Sequence, residues 1–185
     1  MADIADSGDQ DTGTHVLVIS SEINDADDLA AAAKDDVLVI RYDAANTSSD
    51  GLAKLIHDAL GGKKADSIAF AVHSNGDYVN LHLTETDVTT PDNLHDAGQV
   101  AFWKSVGSDL SDNGRIDLLA CNVAADQTGI KFITDIETIA GKNVAASSDL
   151  TGNAAHGGNW TLESDQVDVK KVYFDDHRIE KFDSV

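Results

Sequence analysis

The chain has 185 residues, 42% of them hydrophobic, and carries a net charge of −20 at pH 7. That length suits one domain with a full core, and no apolar run approaches the roughly 20 residues that cross a membrane. So acidic a surface repels nucleic acid, which excludes nucleic-acid binding, and it is typical of a highly soluble protein or of one with basic partners.

Residues 1–14 are rich in Asp, Gly, Ser and Thr and contain little to bury, so we expect them to be disordered. They have neither a basic start nor an apolar middle, and no signal peptide is predicted within them. A removed leader, or excision from a longer chain, stays open. The single cysteine forms no internal disulfide and leaves the redox compartment open.

Strands and helices alternate from residue 15 to about residue 150. Short apolar, β-branched runs predict buried strands at residues 15–20, 36–41, 68–73, 116–121 and 143–147. Apolar residues at helical spacing predict helices at residues 28–34, 52–60, 91–110 and 128–140. Alternating polar and apolar residues predict more exposed strands at residues 78–84, 160–162 and 167–174. This order predicts an α/β fold, with a mostly parallel sheet and helices on both faces.

Two of the predicted strands end at residues that can carry chemistry. One ends at His73 and another at Cys121, which follows it by 48 residues. If the two strands are neighbours, imidazole and thiol emerge together at the carboxyl edge of the sheet, where open α/β folds bind ligands. A cysteine nucleophile needs a nearby histidine, and caspases have theirs at a similar sequence separation. The backbone N–H groups of Ser74 and Cys121 would then form an oxyanion hole.

The same residues fit a plainer interpretation. Cysteine is among the most frequently buried residues and usually packs as a small hydrophobe. Leu-Leu-Ala-Cys, which ends at Cys121, is also what a core strand looks like. The residues alone leave both interpretations open.

The other candidate sites are weaker. Asp126 and Asp149 follow the fourth and fifth strands, where they either cap the next element or form an acidic specificity pocket for Lys or Arg. Residues 109–117 partly imitate a calcium loop, but Ala120 stands where such a loop needs a glutamate, so a helix-to-strand turn is preferred. No histidine pair has metal-ligand spacing, and neither a metal nor a cofactor is predicted.

Four segments resemble one known family. They are Ala-Val-His-Ser-Asn-Gly at 71–76, Leu-Leu-Ala-Cys-Asn-Val-Ala at 118–124, Val-Ala-Ala-Ser-Ser-Asp-Leu-Thr-Gly at 144–152 and Gly-Gly-Asn-Trp-Thr-Leu-Glu at 157–163. Together they resemble the bacterial domain of unknown function 4347 (DUF4347), which is often found near the start of large surface or secreted proteins and is similar to caspase-like peptidases. The resemblance covers residues 15–165 and leaves residues 166–185 as a C-terminal strand or tail extension.

The resemblance implies a caspase-like three-layer sandwich with a C-terminal antiparallel addition. It also implies His73 as the base, Cys121 as the nucleophile, and a secreted or surface location. The sequence departs from the family at Ser74, where family members usually have glycine. It departs again at Ala120, where they commonly have glycine although caspases have alanine.

Two functional hypotheses follow. In the first, the chain is a cysteine endopeptidase, or a self-processing one, that acts on a peptide or protein substrate. In the second, it is a catalytically inactive module that uses its acidic surface to bind a protein partner or cations within a larger assembly. The sequence predicts a basic partner in either case and no transmembrane segment, and it leaves the oligomeric state open.

Overall fold

The computed structural model describes residues 13–75 and 78–185. Most of the stretch predicted to be disordered, residues 1–14, therefore lies outside the described residues. In chain order the strands are β1 (His15–Ser20), β2 (Leu38–Tyr42), β3 (Ala65–Ala71), β4 (Leu81–His82), β5 (Val88–Thr89), β6 (Leu110–Leu119), β7 (Asn143–Ala146), β8 (Thr161–Leu162) and β9 (Val167–Asp168). The helices are α1 (Ala26–Ala32), α2 (Ser49–Leu60), α3 (Ala97–Asp109), α4 (Gln127–Ala140) and α5 (Val169–Tyr173).

Five strands form one parallel sheet in the order β2-β1-β3-β6-β7. The chain moves from β1 to β2 in one direction and from β3 through β6 to β7 in the other. Right-handed crossovers then place α1 on one face and α2, α3 and α4 on the opposite face. The predicted α/β fold, with three layers and a parallel central sheet, is confirmed. The C-terminal antiparallel addition is also present, as the pair β8 and β9.

Each face of the sheet has its own hydrophobic core. On the face covered by α2, α3 and α4, the rings of Phe70, Phe102 and Trp103 pack with centroids 5.0–6.0 Å apart. On the other face, α1, α5 and the residues after α5 bury Phe174 and Phe182. Within the described ranges, no helix has the length and apolar character needed to cross a membrane.

Helices α2 and α4 start and stop at residues suited to helix ends. Ser48 and Asp126 accept hydrogen bonds from the N–H groups of Gly51 and Gly129, which caps the starts of α2 and α4. Both helices end at a glycine with a left-handed backbone, Gly61 (φ 58°) and Gly141 (φ 68°), a conformation that glycine adopts without strain.

The strand predicted at residues 116–121 begins already at Leu110, so the predicted turn between α3 and β6 is absent. The structure differs from the sequence-based expectation in three further segments. The predicted helix at 91–110 begins only at Ala97, because Thr90 and Asn93 hydrogen-bond each other in a turn. The predicted strand at 78–84 is reduced to the two residues of β4. Of the predicted strand at 167–174, only β9 is extended, and α5 follows it directly.

The reason for the last difference lies in the spacing of the apolar residues. Val169 and Tyr173 are four residues apart, so one turn of helix buries both against the sheet. Asp168 accepts a hydrogen bond from the N–H of Lys171 and caps this turn. The segment after residue 165, predicted to be an extension, thus supplies part of the core.

A buried polar network joins α5 to strands β3 and β6 of the sheet. Tyr173 Oη lies 2.5 Å from Asp117 Oδ2 and 2.6 Å from Ser67 Oγ. Arg115 donates two hydrogen bonds to the carboxylate of Asp117, which is fully buried. Burial raises the pKa of Tyr173 well above its usual value, and the negative charge of Asp117 raises it further. Tyr173 therefore stays protonated and donates to Asp117.

We expect Tyr173→Phe to lower the free energy of unfolding by about 1.5–3 kcal/mol, because it removes a hydrogen bond to a buried carboxylate. Urea unfolding followed by circular dichroism measures the change. The matched control is Tyr78→Phe, since Tyr78 is 81% exposed and should tolerate the change. Equal stability of the two variants would contradict a stabilising role for the network.

Candidate functional site

His73 and Cys121 each lie two residues beyond the end of one of two adjacent strands, β3 and β6. β3 and β6 pair in parallel with Phe70 opposite Leu118 and Ala71 opposite Leu119. The N–H of Val72 donates to the carbonyl of Leu119 at 3.4 Å and continues this ladder. The strands are thus neighbours, and His73 and Cys121 follow the last paired residues, Ala71 and Leu119, by two residues each.

Both residues border one small pocket on the face of the sheet covered by α1 and α5. The cavity measures about 30 Å³, which is room for one or two water molecules. Cys121 is half-buried at this position and forms no disulfide. The other lining side chains are mostly apolar and come from the segment after β1, from α1, and from residues beyond 150: Ile23, Leu29, Thr151, Trp160, Phe182 and Val185.

A backbone carbonyl holds the imidazole of His73. Its Nε2 lies 2.9 Å from the carbonyl oxygen of Glu22, in the segment after β1. A carbonyl oxygen only accepts hydrogen bonds, so Nε2 carries the proton, and in the neutral ring Nδ1 is the free base. Sequence reasoning missed Glu22 because a main-chain oxygen leaves no mark on the residue type. Only the strand order, which places β1 beside β3, identifies it.

The thiol and the imidazole do not form a hydrogen bond with each other in this structure. In the part of the chain that is described, no donor or acceptor is bonded to Cys121 Sγ or to His73 Nδ1. Catalytic hydrogen bonds are often long in enzymes without substrate and shorten when substrate binds. The arrangement thus brings a thiol and an imidazole to one pocket without a hydrogen bond between them.

The two backbone N–H groups predicted to bind an oxyanion have no acceptor among residues 13–75 and 78–185. Their neighbours are used: the N–H of Asn75 donates to Asn80 Oδ1 at 2.9 Å, and that of Asn122 donates to the carbonyl of Asp149 at 2.7 Å. Asn122 has a left-handed backbone (φ 59°), so the chain turns sharply directly after Cys121. Cys121 lines the pocket, whereas Ser74 borders a separate depression, so the convergence of their N–H groups on one oxyanion stays a prediction.

The loop after β7 fixes the turn that follows Cys121. The carbonyls of Ser147 and Asp149 accept hydrogen bonds from the N–H groups of Ala124 and Asn122 at 2.8 and 2.7 Å. Glu163 in turn holds this loop, because its carboxylate accepts from the Ser147 hydroxyl at 3.0 Å and from the Ser148 N–H at 2.8 Å. Partial burial raises the pKa of Glu163, but these hydrogen bonds outweigh it and leave the pKa below its usual value.

Asp126 and Asp149 lie apart from the shared pocket, and both are exposed. Asp126 caps α4 through one oxygen and borders a separate depression of about 70 Å³ that also contains Ser74 and Tyr78. Both carboxylate oxygens of Asp149 accept from the Asn159 side-chain amide, at 2.9 and 3.0 Å. Their role in substrate specificity stays a prediction.

The calcium-like segment forms the junction between α3, which ends at Asp109, and β6, which begins at Leu110. Asp109 is buried and hydrogen-bonds His57 at 2.8 Å. Over the described ranges, no group of three or more His, Cys, Asp or Glu side chains is arranged to hold a metal ion.

The parallel sheet, the helices on both of its faces and the histidine–cysteine pair at its carboxyl edge define a three-layer α/β domain. The family model described as domain of unknown function (DUF4347) matches residues 16–185, so the chain belongs to this family. No curated protein is significantly similar to it.

Among solved structures, the chain is similar to a small-chain dehydrogenase, with 14% identity, a TM-score of 0.38 and coverage of 68% of this chain and 72% of that one. It is also similar to a doubly substituted short-chain dehydrogenase/reductase from Serratia marcescens, with 15% identity, a TM-score of 0.33 and coverage of 70% and 67%.

We expect Glu163→Gln to lower the free energy of unfolding at pH 7 by about 1 kcal/mol, because it weakens hydrogen bonds to a carboxylate. The folded-state pKa of Glu163 lies below the unfolded value near 4.5, so its contribution is present above that value and lost as the pH falls through the folded-state pKa. The difference between wild type and variant should therefore shrink below about pH 4. Urea unfolding at several pH values measures it.

Glu85→Gln is the control for this prediction. The Glu85 side chain is exposed and makes no hydrogen bond within the described residues. A difference for Glu163→Gln that is independent of pH, or no larger than that of the control, would contradict the role of the carboxylate.

Proposed function

We propose that this domain is a cysteine peptidase of the caspase-like type, with Cys121 as the nucleophile and His73 as the base. The observation that carries the proposal is the pocket that His73 and Cys121 both line, beyond the carboxyl ends of the paired strands β3 and β6. Sequence resemblance to caspase-like peptidases supports the same roles. The likeness to dehydrogenases contributes nothing to the proposal, since its TM-scores are low.

Each of these groups has one defined role in the proposed reaction, and for His73 this role is to carry a proton from the thiol to the leaving amine. His73 accepts the thiol proton at Nδ1, while the Glu22 carbonyl holds the opposite nitrogen of the ring. The sulfur of Cys121 attacks the carbonyl carbon of the peptide bond, and the N–H groups of Cys121 and Ser74 stabilise the oxyanion. The protonated imidazole then gives its proton to the leaving amine, and water hydrolyses the acyl-enzyme.

Ser74 stands where family members usually have glycine, and its side chain could interfere with the oxyanion hole. The oxyanion hole uses the main-chain N–H at this position, and a serine keeps that N–H. The Ser74 side chain lies at the separate depression near Asp126 and is not among the residues that line the pocket of His73 and Cys121. The substitution is therefore compatible with an intact oxyanion hole.

The competing hypothesis is an inactive acidic module, and the small volume of the pocket favours it. A cavity of about 30 Å³ does not admit a peptide side chain in its present state. The two hypotheses differ in the reactivity of Cys121. A catalytic cysteine reacts with a substrate-like electrophile in the folded protein, whereas a packed one reacts only after denaturation.

We expect a peptidyl electrophile, such as an acyloxymethyl ketone, to modify Cys121 in the folded protein. His73→Ala should slow this modification by about 100-fold or more, because general base catalysis typically contributes that much. Intact-protein mass spectrometry measures the rate. His177→Ala is the control, since His177 is exposed and absent from the pocket. Modification that needs denaturant, or that ignores His73, would favour the inactive module.

The proposed preference for basic substrates depends on the acidic residues near the site. Asp126 is exposed beside Ser74, and the net charge of −20 attracts cationic peptides. We expect fluorogenic peptides with Lys or Arg before the cleaved bond to be turned over faster than matched peptides with Ala. Asp126→Asn should reduce the ratio of the rates for basic and Ala peptides. Asp92→Asn is the control, since Asp92 is exposed and lies outside both the pocket and the depression. Equal rates for basic and neutral peptides would remove this preference.

A further inference from the structure

The segment 182–185 lies in an extended conformation along the loop that contains Asn153. This residue makes two hydrogen bonds to main-chain carbonyls of the segment: its N–H donates to the carbonyl of Ser184 at 2.9 Å, and its side-chain amide donates to the carbonyl of Phe182 at 2.7 Å. Carbonyls two residues apart point the same way in an extended chain, so one residue reaches both. These contacts involve only main-chain atoms of the segment, as in other sites that bind extended peptides.

Side chains of the same segment make further contacts. The Ser184 hydroxyl donates to Asp25 Oδ2 at 2.6 Å, on the opposite side from Asn153. The buried ring of Phe182 packs on Trp160 with centroids 5.7 Å apart. The segment thus bridges the loop before α1 and the loop after β7.

Two glycines make room for Val185. A Cβ atom built at Gly158 would lie 2.7 Å from Val185 Cγ1, and one built at Gly152 would lie 3.2 Å from it. Gly152 also has φ +140°, a conformation that other residues rarely adopt. The cleft between these residues therefore accepts a branched aliphatic side chain because its walls have none of their own.

Phe182 and Val185 line the same pocket as His73 and Cys121. We propose that the groove formed by Asn153, Asp25 and the two glycines is the substrate groove, and that residues 182–185 occupy it as an intramolecular inhibitor. This inference rests on the proposed peptidase function. It explains why the pocket is small in the present state, since part of its wall is chain that a substrate would displace.

The contacts also define a class of ligand. It is an extended peptide with two main-chain carbonyls available to Asn153, a hydroxyl-bearing residue facing Asp25, and a branched aliphatic residue directly after it. Ser184 and Val185 satisfy the last two requirements in the free protein.

The experiment measures how fast iodoacetamide alkylates Cys121 in the folded protein, with mass spectrometry as the readout. Deletion of residues 183–185 should raise the rate by about tenfold, because it removes contacts that favour the covered state and open states become more populated. A synthetic peptide of sequence Glu-Lys-Phe-Asp-Ser-Val should reverse the increase. The same peptide with aspartate in place of the final valine should not.

Repeating the measurement with His73→Ala separates this inference from the proposed function. Access to the thiol does not require the base, so the deletion should raise the rate by the same factor with or without His73. One outcome is that the deletion raises alkylation by this factor in the His73→Ala protein while His73→Ala does not slow the reaction with the peptidyl electrophile. That result supports the groove and contradicts the catalytic role of His73. An unchanged alkylation rate in a natively folded deletion chain overturns the inference.

Point variants keep the test decisive if the deletion unfolds the chain. Ser184→Ala with Val185→Ala should raise alkylation several-fold at an unchanged melting temperature. Ser108→Ala is the control, since Ser108 is an exposed serine on α3 whose hydroxyl donates only to the carbonyl of Ser105 in the same helix. No increase over this control, or no protection by the peptide, also overturns the inference.

Discussion

The parallel pairing of β3 with β6 is the constraint on which the rest of the site depends. A shift of one residue in this pairing would turn either His73 or Cys121 to the opposite face of the sheet. The register resists such a shift because both faces are packed: Phe70 and Leu118 point into one core, and Ala71 and Leu119 into the other. Two hydrophobic cores thus fix the position of two polar side chains beyond the ends of the strands.

The strand order adds the next part of the site. β1 lies between β2 and β3, and the order of the strands along the chain reverses at this point. Open α/β sheets have a crevice at the carboxyl edge where the order reverses, and the segment after β1 lies there. The carbonyl of Glu22 stands in this crevice and fixes the ring of His73. On the other side of the pocket, Glu163 holds the loop whose carbonyls bind the turn after Cys121. Neither glutamate is close in sequence to the residue that it positions.

The sequence predicted what depends on residue type and short-range pattern. The bounds of β1 agree with the structure, the alternation of strands and helices gave the parallel sheet, and strand-end residues indicated His73 and Cys121. Contributions from main-chain atoms left no trace in the residue types. The Glu22 carbonyl became visible only with coordinates, whereas the N–H groups of Ser74 and Cys121 were expected from strand geometry.

Residues 167–174 show a different limit. Their alternating pattern also contains Val169 and Tyr173 at helical spacing, so the sequence alone does not separate strand from helix. Tertiary contacts decide the outcome, because Tyr173 reaches Asp117 only when α5 lies across the sheet. The groove around residues 182–185 was equally invisible, since Asp25 lies far along the chain from Gly152, Asn153 and Gly158.

The most direct measurement is an experimental structure of the protein after reaction with a peptide aldehyde. If two strands deliver base and nucleophile to one groove, the aldehyde carbon is bonded to Cys121 Sγ and its oxygen accepts from the N–H groups of Cys121 and Ser74. The ring of His73 then lies within hydrogen-bond distance of the adduct, and residues 182–185 have left the groove. An unmodified thiol, or an adduct whose oxygen points to solvent with His73 turned away, would contradict it.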